Sequence, residues 1–105
     1  MCIKKEIIEN QLLLKFEKET LDISNCREFQ NKFDEIIHEE DLNNYKTCIL
    51  DLSNTQYVDS TGLKIMLNLY VFFRGKGKVF KLEGVSEQFQ HLLDIFRIKG
   101  LFSIE

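Results

Sequence analysis

A chain of 105 residues, 44% hydrophobic and 30% charged, is one globular domain that can bury roughly 65% of its unfolded surface without disulfides or metal. Fourteen Lys and Arg against 17 Asp and Glu leave a formal charge of −3, which weighs against nucleic acid as a direct partner because phosphate backbones are bound by basic surfaces. Cys2, Cys26 and Cys48 form no CxxC pair, no apolar run nears the roughly 20 residues a bilayer span needs, and MCIKKEIIENQ lacks the apolar core of a secretory signal, so the expectation is a cytoplasmic protein with reduced thiols, no zinc and no membrane partner.

Ile7–Ile8 and Leu12–Phe16 are short apolar runs separated by Glu9, Asn10 and Gln11, the pattern of two strands joined by a hairpin turn. Leu12, Leu14 and Phe16 alternate with Leu13, Lys15 and Glu17, so one face of the second strand meets a core. Leu21 to Ile23 form a short extended piece. Ser24 then stands as N-cap of a first helix whose inner stripe is Cys26, Phe29, Phe33, Ile36 and Ile37. Glu39 to Asn44 end that helix in a polar loop.

The chain turns on the stretch CILDLSNTQYVDSTGLKIMLNLY, residues 48–70. Thr47 to Leu52 read as a strand buried on both faces. Asp59, Ser60, Thr61 and Gly62 form a polar turn, and an apolar helix follows. Its stripes are Leu63, Met66, Leu67, Tyr70 and Phe73 on one face and Ile65, Leu69 and Phe72 on another. Gly75 and Gly77 end it. Val79, Phe80 and Leu82 form a further strand. Ser86 caps a third helix with Phe89, Leu92, Leu93 and Phe96 inward, and Gly100 breaks it. Leu101, Phe102 and Ile104 form a tail that packs back on the domain. Strands alternating with helices after an opening hairpin give an α/β sandwich with a mixed sheet.

A hydroxyl at the start of a helix lies near the free N–H groups of the first turn and the positive end of the dipole, an environment suited to phosphate. Taken alone, Ser60 is more often an N-cap than a phosphorylation site. Asp59 is an alternative cap, and Asp22 and Asp51 are short acids at strand ends, where turn hydrogen bonding is the usual role.

The run DLSNTQYVDSTGL resembles the signature of STAS domains, specifically the small anti-sigma factor antagonists of bacteria. LDISNCREF and LEGVSEQFQHLLDIFRIKGLFSI resemble flanking parts of the same family, so the likeness covers nearly the whole chain. It implies a STAS-type sandwich in which a mixed sheet of about four to five strands carries helices mainly on one face. It also implies a monomer when free, with no enzymatic activity and no cofactor. The unphosphorylated protein would bind an anti-sigma factor serine kinase and so release a sigma factor. Ser60 stands at the position the kinase phosphorylates, and a PP2C-type phosphatase reverses the step. Asp22, Asp59, Ser60, Thr61, Gly62 and Lys64 are the partner-binding positions implied. Lys64 stands where the family usually carries a small residue.

Two other readings compete. One is a STAS module that binds partners without phosphorylation inside a larger sensory or transport assembly. The other is a hydrolase with Ser60 as nucleophile, which the sequence opposes: it lacks G-x-S-x-G, and His38 and His91 lie in helical stretches. A P-loop is also absent, so the chain is not itself expected to be a kinase.

Overall fold

The computed structural model describes residues 2–104. β1 (Ile3–Ile8) and β2 (Gln11–Phe16) form the hairpin, joined by Glu9 and Asn10 at φ 49° and 68°. Positive φ at both turn residues gives the twist that lets the two strands continue side by side. β1 reaches back to Ile3, well before the apolar pair that signalled it. Only Ile3 of this strand is buried, so its pattern is faint in sequence.

The chain continues through β3 (Thr20–Leu21), α1 (Cys26–Glu39), β4 (Thr47–Asp51), β5 (Tyr57–Val58), α2 (Ser60–Gly75), β6 (Val79–Glu83), α3 (Glu87–Ile95) and β7 (Ser103–Ile104). Five strands form one mixed sheet in the order β1-β2-β4-β6-β7. β1 and β2 are antiparallel, and every other neighbour pair is parallel. Parallel neighbours need long crossovers, and α1, α2 and α3 supply them. β3 and β5 form a separate two-stranded parallel sheet.

Leu12, Leu14 and Phe16 of β2, Cys48 and Leu50 of β4, and Phe80 and Leu82 of β6 share the helix-covered face. Phe73 of α2 is the centre of that core. It stacks on Phe80 at 5.6 Å between ring centroids and meets Phe33 of α1 edge-on at 5.8 Å. Phe16 meets Phe29 of α1 at 5.1 Å. Burying these rings together with the aliphatic residues around them drives the closing of the two layers.

Both apolar stripes of α2 are used. Leu63, Ile65, Met66, Leu69 and Phe73 are buried, and Leu67, Tyr70 and Phe72 pack partly against the core. The helix ends as the glycines suggest, but with divided roles. Gly75 lies inside it. Gly77, at φ 72°, closes it with hydrogen bonds from Lys78 N–H to Phe73 and from Gly77 N–H to Arg74.

Four expectations are corrected. The N-cap position of α1 is Asn25, which makes no side-chain cap bond. Ser24 instead binds Asp22, because a carboxylate two residues back competes for its N–H and hydroxyl. α3 stops at Ile95, and Gly100 does not break it. Arg97 adopts φ 57°, and the N–H groups of Ile98 and Arg97 bond back to Leu93 and Asp94, so an arginine does the work usually given to glycine. Phe96 therefore swings outward and is half-exposed. Helices cover β4 on one face only; on the other, Ile49 is buried while the end residues Thr47 and Asp51 are partly exposed, so the strand is buried on both faces at its centre and not at its ends. Of the tail, Phe102 packs against Tyr70 and Phe80, Leu101 is exposed, and the Ile104 side chain lies outside the described residues.

Candidate functional site

The start of α2 is held by the small sheet. Asp59 N–H donates to the Leu21 carbonyl at 3.2 Å, continuing the β3–β5 pairing by one residue. The other edge of β5 is met by Gln88 of α3. Its Oε1 accepts from Val58 N–H and its Nε2 donates to the Val58 carbonyl, both at 2.8 Å. One side chain thus stands in for a third strand. Thr55 is buried, and its hydroxyl donates to the Lys18 carbonyl at 2.8 Å, tying the loop before β5 to the loop before β3.

Asp59 is the N-cap of α2. Its Oδ1 accepts from Gly62 N–H at 2.9 Å, and its backbone carbonyl accepts from Leu63 N–H at 2.9 Å. Its Oδ2 accepts from Ile23 N–H at 3.3 Å, which fastens the β3–α1 loop to the helix start. Both carboxylate oxygens are therefore occupied by backbone donors. Gly62 sits where α2 presses on β3: a Cβ there would lie 2.5 Å from the Leu21 carbonyl oxygen and 2.7 Å from Val58 Cγ1. Only glycine allows that approach.

Ser60 is the first residue of α2 and is exposed. Among the described residues its hydroxyl has no hydrogen-bond partner, and neither does its N–H nor that of Thr61. The first turn thus presents two unused donors, a free hydroxyl and the positive end of a sixteen-residue helix. Thr61 is half-buried beside it. Lys64 is exposed one turn along, and residues four apart share a helix face. Asn68 and Val71 continue that stripe, with Val71 66% exposed.

Asp22 and Asp59 each directly follow one of the paired residues Leu21 and Val58, so their backbones are neighbours at about 5 Å. Their side chains diverge. Asp22 Oδ1 accepts from the Ser24 hydroxyl and N–H, and these two bonds, the hydroxyl's first, hold its carboxyl below the usual carboxylate range. The structure thus brings Asp22, Asp59, Ser60, Thr61, Gly62 and Lys64 to one end of the molecule. Asp51 lies elsewhere, at the end of β4, where Oδ1 accepts from Ser53 N–H at 2.8 Å.

Two residues of this neighbourhood escaped the reading of the sequence. Ile23 is 78% exposed beside the Asp59 carboxylate. The sequence placed it in the extended piece Leu21 to Ile23, but β3 ends at Leu21 and leaves Ile23 in the loop before α1. Gln88 had no signal, because a glutamine on a helix says nothing about the strand it completes.

Among the described residues no cluster of His, Cys, Asp and Glu could hold a metal, and no helix is long and apolar enough to cross a membrane.

A model of the STAS domain matches residues 3–105. The chain belongs to the STAS domain family. The anti-sigma-B factor antagonist of Bacillus subtilis (strain 168) is 34% identical over 59 residues, 56% of this chain and 51% of that protein. The chain thus aligns with about half the length of that relative. A Thermotoga maritima protein described as an anti-sigma factor antagonist has a fold matching with TM-score 0.82 and 24% identity, over 97% of this chain and 84% of that one. The anti-sigma factor antagonist SpoIIAA in its unphosphorylated form matches with TM-score 0.68 and 13% identity, over 98% and 86%. SpoIIAA of Bacillus in its phosphorylated form matches with TM-score 0.68 and 12% identity, over 98% and 90%. At these identities the structural likenesses establish the fold, a mixed α/β STAS sandwich.

Proposed function

We propose that this STAS domain is an anti-sigma factor antagonist that works by partner switching. Unphosphorylated, it binds an anti-sigma factor that is also a serine kinase, and a sigma factor is released. Phosphorylation of Ser60 ends the complex, and a PP2C-type phosphatase restores it. The observation that carries this reading is the division of labour between residues 59 and 60. Asp59 takes the capping bond, so Ser60 is left with an exposed, unengaged hydroxyl at a helix N-terminus. The relative's name, anti-sigma-B factor antagonist, supports the partner class, and SpoIIAA, which shares this fold, has been solved in both an unphosphorylated and a phosphorylated form.

The physics is local. A phosphoryl group adds about −1.5 to −2 charges. The helix start accommodates it with a gain of about 0.3–1 kcal/mol, so the fold is not disturbed. A partner that buried the neutral hydroxyl would now bury a dianion next to Asp59 and near Asp22. An uncompensated buried charge costs several kcal/mol, and about 4 kcal/mol is a thousandfold in affinity. Lys64 is the cation placed to moderate that charge. Ile23, Asn68 and Val71 supply the surface around the switch.

The test uses Ser60→Ala and Ser60→Asp as paired baits in host lysate, read by mass spectrometry, with both melting temperatures measured. An ATP-binding serine kinase retained by the alanine form and lost from the aspartate form, at unchanged melting temperature, is the expected result. Equal retention by both removes Ser60 as the switch. A large loss of stability in Ser60→Asp makes the residue structural.

A further inference from the structure

The second face of the five-stranded sheet is covered by no helix, and its side chains form a pattern that is complementary to itself. The strand register fixes which residues lie in line across it. One row runs Lys4, Lys15, Asp51, Glu83 across β1, β2, β4 and β6. The next runs Glu6, Leu13, Ile49, Lys81. The third runs Ile8, Gln11, Thr47, Val79. In the first row two bases are followed by two acids. In the second, an acid and a base flank two apolar residues. In the third, two apolar residues flank two polar ones.

Each row therefore matches its own reverse. A two-fold axis parallel to the strands, passing between β2 and β4, lays β1 over β6 and β2 over β4 of a second copy. Lys4 then faces Glu83, Lys15 faces Asp51 and Glu6 faces Lys81. At the centre the half-buried Leu13 lies over Ile49, which its own neighbours already leave only 7% exposed, and at one end Ile8 meets Val79, so the apolar contact between copies falls mainly on Leu13, Ile8 and Val79. No like charges oppose one another. The geometry points to this open face as a homodimer interface, the two sheets packing face to face in the aligned manner of β-sandwiches.

Burial and charge agree. Ile8 and Val79 are 45% and 48% exposed on this face, more than a strand residue with a settled place in a core. Lys4, Lys15, Leu13, Ile49, Asp51 and Glu83 all line a depression of about 360 Å³ that can receive side chains from a facing sheet. Within the three rows three lysines stand against three acids, and Glu17 beside Lys4 brings the patch to −1 on a chain of net charge −3, so the patch is less negative than the chain as a whole. Lys4 already meets Glu17 at 3.3 Å, an exposed pair of the kind that costs little to exchange. Four strands at a spacing of about 4.8 Å give a patch roughly 20 Å wide, the small end of specific interfaces, so the dimer is weak and reversible. The pairing uses the side of the sheet away from α1 and α2 and leaves the Ser60 stripe open. The sequence alone implied a monomer when free; the pattern that points to a dimer exists only across strands.

The test is sedimentation equilibrium at low salt, up to about 1 mM protein, a range suited to a small interface. The samples are the wild type, Lys4→Glu, Glu83→Lys and an equimolar mixture of the two variants. Within one chain Lys4 lies beside Lys15 and Glu17, and Glu83 beside Asp51, so each reversal also changes its neighbours in the same chain; the mixture keeps those changes and restores only the contacts between copies, which separates the two effects. The wild type is expected to shift from monomer to dimer with concentration. Each variant alone sets like charges against each other twice and should associate at least tenfold more weakly, since opposed like charges cost several kcal/mol at an interface. The mixture restores both pairs and should recover the wild-type association. Net charge alone predicts otherwise: Glu83→Lys makes the chain less negative and would associate more strongly. A wild type that stays monomeric overturns the proposal. Variants that associate like the wild type, or a mixture no stronger than its components, assign any association to another surface and overturn it equally.

Discussion

Alanine at position 62 carries a methyl group into a space already filled. The new Cβ would lie 2.5 Å from the Leu21 carbonyl oxygen, 2.7 Å from Val58 Cγ1 and 3.1 Å from Leu21 Cγ. The nearest of these is backbone, so no rotamer change relieves it. Either β3 moves from β5 or the first turn of α2 lifts, and both moves strain the Asp59 cap. Overpacking of this kind costs about 1–3 kcal/mol. For a domain of this size that is a fall in melting temperature of about 4–12 °C, at about 4 °C per kcal/mol. Gly75 provides the control, because it lies in the same helix and a Cβ there meets nothing within 4 Å. Gly75→Ala should stabilise by up to about 1 kcal/mol through helix propensity. Thermal unfolding followed by circular dichroism reads both. One substitution made twice in one helix is thus expected to have opposite signs. If Gly62→Ala melts at or above the wild type, the close approach of α2 to β3 is not what holds glycine there.

Asp59→Ala removes the cap of α2 and the tie to Ile23, and should cost about 0.5–2 kcal/mol in urea unfolding. Asp59→Asn keeps one acceptor for Gly62 N–H but turns an NH2 donor toward Ile23 N–H, so it should recover only part of that loss; a full recovery would mean the tie to Ile23 contributes nothing. Alkaline pH should destabilise the fold through two buried acids. Burial pushes the Cys48 thiol up from its ordinary 9.0 and the Tyr45 phenol from 10.0 up to about 12, and the Tyr45 hydroxyl is buried without a hydrogen-bond partner. Both pKa values are higher folded than unfolded, so this stability is full below the unfolded values and is lost as pH rises past them. The urea midpoint should be level from about pH 7 to 9 and fall above that, less steeply in Cys48→Ala. A midpoint level to pH 11 would refute this.

The sequence by itself determined the order of the hairpin, the three helices, β4 and β6, because periodicity is local; the two-residue strands β5 and β7 are too short to show a period and went unread. Leu12, Leu14 and Phe16 alternate, Phe29, Phe33 and Ile36 recur at helical spacing, and Ser86 and Gly77 sit where helix ends need them. The family was equally legible, since its signature is contiguous. Three kinds of feature were decided only by tertiary structure. The first is competition between nearby partners: Ser24 looked like a cap until Asp22 claimed its hydroxyl, and Asp59 took the cap that left Ser60 free. The second is conformation that the surroundings impose, as where Arg97 takes a left-handed turn so that Ile98 can reach the core. The third is adjacency between strands distant in sequence. Gln88 completes β5, Asp22 lies beside Asp59, and Lys4, Lys15, Asp51 and Glu83 form a line across four strands. A strand declares its own two faces through its period of two, but which residues of other strands lie level with it depends on register, and register is settled only when the sheet is assembled.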